Sequence, residues 1–291
     1  DPRGVLVSQG QSEATYVPQT PLEYGQMYYW RIDEVNAAPD STIFKGLLWS
    51  FATEPFAYPV EDIVVTTNAV SAAGSGPEKT IDGSGLNEND EHSTKIPDMW
   101  QATPGDETPV WIQYDFGRTV KLHQMLVWNY NVEFELVLGF GFKDVTVEFS
   151  ADGETWTTLG DVEFAQAIAK ANYTANTAVD FAGAAVRSVR LTANSTWGGM
   201  PQHGLSEVRF LYIPIQARYP EPADGATDVS VEPTLAWRPG RDAATHNVYF
   251  GADAYDAVFV QVLGGLFADV GNFPGQLLLA AFGVAHLQLK L

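Results

Sequence analysis

The residues able to do chemistry concentrate in one acidic stretch. Between positions 61 and 107 the chain carries ten acids against only Lys79 and Lys95. A hard cation such as Ca2+ takes about six to eight oxygen ligands, so such a stretch reads either as local cation affinity or as a solvated acidic face. It contains Glu78-Lys79-Thr80-Ile81-Asp82-Gly83, a long polar loop, and Asp98-Met99-Trp100. Far downstream stands Gly204-Leu205-Ser206-Glu207-Val208-Arg209. These two pieces are expected to meet and close one β-sandwich.

Catalytic signatures are missing from the sequence. The chain has no cysteine, which excludes disulfides, thiolate metal sites and a thiol nucleophile. Gly74-Ser75-Gly76 is too short for a nucleophile elbow, and there is no zinc-protease H-E-x-x-H and no P-loop. Gly139-Phe140-Gly141-Phe142 precedes a strand but lacks the third glycine of a phosphate cradle. Glu133 and Glu135 invite comparison with a glycosidase pair. Two residues apart on an extended segment they share a side, so a solvated loop is the expected reading. The chain reads as a binding module and not an enzyme.

The elements that must position these residues are strands. Eight Trp, twelve Tyr, 26 Gly and 17 Pro in 291 residues favour an all-β protein with many turns. Val110, Ile112, Tyr114 and Phe116 alternate onto one face. A second strand runs over 121–129, and in 143–150 Val145, Val147 and Phe149 point inward. Asp152-Gly153 then marks a hairpin. Further strands are predicted at 177–181, 185–193 and 205–213, with no helix of convincing length. Before a Pro-bounded linker at 54–59, a strand begins at Tyr28, whose hydroxyl is placed to bond back to the preceding loop. Residues 47–53 close that unit. After 217, strands are expected at 233–237 and 246–251.

The net charge of −20 repels phosphate backbones and anionic bilayers, so no nucleic-acid partner and no membrane insertion are expected. The apolar run 277–289 is too short to span a bilayer. Asp1-Pro2-Arg3-Gly4 is no charged-then-apolar leader, and the chain reads as a piece of something larger.

Taken in order, "WIQYDFG", "LHQMLVWNYN", "KDVTVEFSADGETW", "SVRLTA" and "GLSEVRFLYI" resemble a discoidin domain. That family includes coagulation factor C-type domains and many bacterial sugar-binding modules. The flanks, with "YYWRIDEVN…LWSFAT" before and a Pro-rich entry after, resemble halves of fibronectin type III-like domains. The longer phrasing is similar to exported planctomycete-type proteins. The expected fold is therefore all-β: a discoidin-like β-sandwich of jelly-roll type, flanked by incomplete fibronectin type III-like sandwiches. The implied organisation is a C-terminal half-domain at 1–55, a discoidin-like domain at 56–216, an N-terminal half-domain at 217–256 and an atypical apolar tail at 257–291. For the tail a truncated end is favoured over a peripheral apolar segment.

The resemblance also implies sites. A structural Ca2+ would be held around Lys79, Asp82, Ser84, Asp98, Ser206 and Glu207, with Asp98 standing where the family has Thr. A carbohydrate would be held by Trp197 stacking on a sugar ring, with Asn129, Asn131 and His92 hydrogen-bonding its hydroxyls. The family's usual Arg in the loop after the second strand is missing. The implied function is a non-catalytic carbohydrate-binding module of an exported or cell-surface protein. The alternatives are a structural or adhesive spacer binding protein, and an accessory fragment of a larger glycan-degrading hydrolase.

Overall fold

The computed structural model describes residues 5–252. They divide after Arg241 into two units, and the described part of the second, 242–252, has no strand or helix. The first unit opens with β1 (Met27–Trp30), β2 (Glu34–Val35), β3 (Ile43–Phe44) and β4 (Trp49–Ala52). β1 pairs antiparallel with β4, and β2 with β3, as separate two-stranded sheets. The Tyr28 hydroxyl accepts a hydrogen bond from Glu23 N at 3.0 Å, the backward tie foreseen for it.

Nine further strands form one continuous sheet. They are β5 (Tyr58–Pro59), β6 (Val64–Thr67), β7 (Val70–Ser71), β8 (Trp100–Thr103), β9 (Val110–Asn129), β10 (Asp144–Ser150), β11 (Trp156–Glu163), β12 (Thr177–Ala193) and β13 (His203–Ile213). The spatial order is β11-β10-β12-β9-β13-β8-β7, with β5 on β13 and β6 on β9. The expected alternation holds along β9, where Val110, Ile112, Tyr114 and Phe116 are buried.

The pair of strands expected at 110–116 and 121–129 is one strand with a bend. At Gly117 the backbone enters the left-handed region (φ 66), which favours glycine, and its N–H is held by Asp115 Oδ1 at 2.7 Å. β12 likewise joins two expected strands, with register shifts at 180–184 and 186–188. The bends fold the sheet over on itself into a sandwich. Ile112, Leu122, Met125, Val147, Leu191 and Phe210 are among the side chains that fill it.

The bends also give the sandwich two unlike ends. At the bend end Thr119 Oγ1 donates to Ala151 O at 2.9 Å, and the flanks enter nearby, since Tyr58 pairs with Tyr212 and Tyr212 with Leu122. At the opposite, open end gather the loops 86–99, 129–143, 164–176 and 194–202, between the strands just described. The only α-helix among the described residues is α1 (Glu135–Leu138), in the second of these loops.

After the sandwich come β14 (Arg218–Glu221) and β15 (Ala236–Arg238), paired with each other. The strand expected at 246–251 does not form: alternation without a hydrogen-bonded neighbour leaves it irregular. The tail at 257–291 lies outside the described residues. Glu54, at the start of the linker, takes ion pairs from Arg218, Arg238 and Arg241, the last at 2.8 Å, and a hydrogen bond from the Tyr58 hydroxyl at 2.9 Å. The Arg241 bond leads in holding its carboxyl down at about 2. One carboxylate thus ties the roots of both flanks together.

Candidate functional site

The open end is built on three buried polar keystones. Asn129 ends β9, fully buried, and its amide donates to Phe142 O at 2.7 Å and Ala165 O at 3.0 Å. Its N–H donates to the Tyr173 hydroxyl at 2.8 Å. Asn131 is also fully buried, and its amide reaches His92 O, Ser93 O and Lys170 O at 3.3, 3.0 and 2.8 Å. It therefore fastens loops 86–99 and 164–176 to each other. Glu135, in α1, is the third, and its carboxylate accepts Gly141 N at 2.8 Å and Phe140 N at 3.1 Å. Burial pushes its pKa up to about 7, against the pull of those two N–H groups.

This corrects the expectation for the hydroxyl-binding residues. Asn129 and Asn131 sit beneath the loops with their amide hydrogens committed to backbone carbonyls, so they position the site and do not face it. His92 is buried as well: its Nδ1 lies 3.0 Å from Ser93 O, its backbone N–H donates to Tyr173 O at 2.7 Å, and its ring packs directly against Gly85. Desolvation lowers its pKa, so the neutral ring is favoured. The reason is common to all three. A loop cluster without regular pairing needs side chains to satisfy its backbone groups, and Asn and His do so at short reach.

Trp197 lies on an open-end loop and is partly exposed. Its indole N–H donates to Phe164 O at 2.9 Å, and Lys143 Nζ stands 5.1 Å from the ring centroid. The ring is thus held in a fixed plane by one bond and capped by one cation. The neighbouring α1 loop packs on the backbone of the Trp197 loop: Gly198 N donates to Gly139 O at 2.8 Å, and Gly139 takes a left-handed φ of 63. Around this contact stand exposed Phe134 (67%), Leu136 (64%), Val137 (85%) and Met200 (53%). The sequence reading missed these apolar tips and Lys143. A Gly-flanked apolar run in a predicted loop was the available signal.

The acidic pieces named first do meet. Gly83 N donates to Glu207 Oε2 at 3.3 Å, across 124 positions of sequence. Asp82 takes Lys79 Nζ at 2.9 Å on one oxygen and Ser84 N at 2.9 Å on the other. Asp98 accepts Ser93 Oγ at 2.7 Å and still lies near enough to act electrostatically on Lys79. Ser206 is buried, and its hydroxyl accepts Asn131 N at 3.1 Å. Glu207 is 5% exposed, and its neighbour Arg209 is committed to Asp90 by two bonds of 2.7 and 2.8 Å. Burial first, then the Asp82 charge, push Glu207 up to about 8. A buried carboxyl beside a second carboxylate, without a cation of its own, fits the donor chemistry of a hard cation. Among the described residues, no three His, Asp or Glu side chains converge closely enough to hold a metal. Backbone carbonyls would have to complete the shell.

The family model described as F5/8 type C domain matches residues 64–208, which span β6 into β13. No curated protein sequence matches the chain. Among solved structures, a family 89 glycoside hydrolase from Clostridium perfringens is 14% identical, with a TM-score of 0.37; the match covers 52% of this chain and 14% of that one. A family 32 carbohydrate-binding module from C. perfringens NanJ, in complex with galactose, is 12% identical over 54% of this chain and 98% of its own, with a TM-score of 0.40. A module of the same family number, in complex with GalNAc-beta-1,3-galactose, is 14% identical over 53% of this chain and 98% of its own, with a TM-score of 0.40.

Proposed function

Proceeding from the F5/8 type C match over residues 64–208, we propose that the central sandwich is a non-catalytic carbohydrate-binding module of an exported or cell-surface protein. The observation that carries this reading is the Trp197 ring, fixed by Phe164 O at the open end and partly exposed. An aromatic held in one plane covers the apolar face of a sugar ring at little entropic cost. Lys143, 5.1 Å from that ring, supplies a donor to hydroxyls beside it. His203, whose ring meets Phe142 at 5.9 Å, stands on the adjoining edge. Asn129, Asn131 and His92 serve by holding the loops in register. The flanks enter at the other end of the sandwich, so the open end faces outward from whatever the flanks join.

A structural Ca2+ accompanies this reading. Asp82 and Glu207 would supply carboxylates, with carbonyls from Lys79, Ser84 and Ser206, and Asp98 in reserve at the rim. The ion would bridge the early loop to β13, doing no chemistry on a ligand. Lys79 would give up its pairing with Asp82 on binding.

The test is a broad glycan array followed by isothermal titration of the best binder. Wild type is expected to bind one sugar class weakly, and Trp197→Ala to weaken it at least about tenfold, as loss of a stacked ring implies. No binding on the array, or unchanged affinity in Trp197→Ala, removes the carbohydrate reading.

A further inference from the structure

We propose that Glu135 is a positioning residue for Trp197, and that its ionised carboxylate holds the open end in the tighter-binding state. The effect on sugar affinity rests on the carbohydrate reading above; the effect on the Trp197 ring does not. Both carboxylate oxygens are engaged: Oε1 accepts Gly141 N at 2.8 Å and Oε2 accepts Phe140 N at 3.1 Å. The carbonyls of the same short segment hold the facing backbone. Gly139 O accepts Gly198 N at 2.8 Å, Phe140 O accepts Gly204 N at 3.0 Å, and Gly141 O accepts Trp197 N at 3.1 Å. One side chain therefore orients the peptide groups on which the Trp197 loop and the start of β13 hang. The segment has little slack: a Cβ on Gly141 would lie 2.6 Å from Asn129 Oδ1 and 3.1 Å from Glu135 Oε1.

The two protonation states cannot hold this segment alike. An ionised carboxylate accepts both N–H groups as charge-assisted bonds. A protonated carboxyl turns one of its oxygens into a donor, and one of the two N–H groups then loses its acceptor. Glu135 is fully buried, and burial brings its pKa up to about 7, so the exchange falls in the neutral range. The titratable groups that act on it electrostatically are Tyr130, just after β9, and Tyr173, in loop 164–176. Burial raises both phenols, Tyr130 to about 12, so neither changes charge in that range. Further out stand Lys143, beside Trp197, and His203 on β13, whose pKa desolvation lowers. Gln166 Nε2 donates to the Glu135 backbone O at 3.1 Å, which anchors the residue from loop 164–176 whatever its charge.

Proton NMR of the full chain tests this without any sugar. The Trp197 indole N–H signal, identified by its loss in Trp197→Phe, should shift with pH around a midpoint of about 7. Glu135→Gln keeps the shape of the neutral acid and should leave that signal flat. Isothermal titration with the best neutral glycan from the array supplies the second readout. Wild type should bind about three- to tenfold more tightly well above that midpoint than well below it, the worth of one hydrogen bond. Glu135→Gln should bind with the low-pH strength throughout. A Trp197 signal that stays flat in wild type overturns the proposal, and so does equal wild-type affinity on both sides of the midpoint. A shift that survives in Glu135→Gln overturns it too, since it would belong to His203. A signal that titrates as expected in a chain that binds no glycan upholds Glu135 as the positioning group and removes the carbohydrate reading instead.

Discussion

At the residue scale the open end is governed by buried polar groups. Asn131 shares two amide hydrogens among three carbonyls on two loops. Asn131→Ala takes the amide from all three carbonyls, of which Ser93 O keeps His92 Nδ1 beside it, and should cost about 1–3 kcal/mol of stability by urea unfolding. It should also weaken glycan binding, because the loops under Trp197 lose their tie. Glu135 has a pH signature. Its folded pKa lies near 7 against an ordinary 4.5, so the folded state holds the proton more tightly. Its stabilising contribution is full below 4.5 and is lost as pH rises towards 7. Melting temperatures recorded across that window in saturating calcium should fall more steeply for wild type than for Glu135→Gln. Equal slopes would mean that the carboxyl titrates as an ordinary surface acid.

At the scale of elements, one glycine contact joins the two loops that form the site. A Cβ on Gly139 would sit 2.3 Å from Gly198 N, and the residue already has a left-handed φ of 63. Backbone cannot yield as a long side chain does, so Gly139→Ala must separate α1 from the Trp197 loop. We expect about 1–3 kcal/mol of destabilisation and a loss of sugar affinity comparable to Trp197→Ala. By contrast, Gly153, in the turn after β10, has open space around it. Gly153→Ala pays only for its φ of 87, and its binding should match wild type.

At the scale of the whole molecule, the hydrogen bond from Gly83 N to Glu207 closes the sandwich, tying the loop after β7 to β13. An ion bound only by the folded state must raise the melting temperature. Adding a chelator should lower it by about 2–8 °C, the range that roughly 1–2 kcal/mol produces in a domain of this size. Glu207→Gln should lower the starting value and remove most of the chelator effect. An unchanged melting temperature in saturating calcium would exclude the ion and leave Lys79 as the partner of Asp82.

The sequence alone determined the central strands of the sandwich and their inward faces. Alternation at Val110–Phe116 and Val145–Phe149, and the Asp-Gly turn, report burial directly, because strand periodicity is local. The meeting of the Asp82-Gly83 turn with Glu207 was legible too, through the resemblance. The sequence did not show the bends that make one strand of two, since a glycine in the left-handed region looks like any other glycine. Nor could it tell Asn129 and Asn131 as struts from Asn as ligand contacts. The same short amide serves either role, and only the position of surrounding carbonyls decides. Trp197 was legible as an exposed-loop aromatic. Its fixed plane, its lysine cap and the apolar tips beside it come from loops far apart in sequence, and only the tertiary fold brings those together.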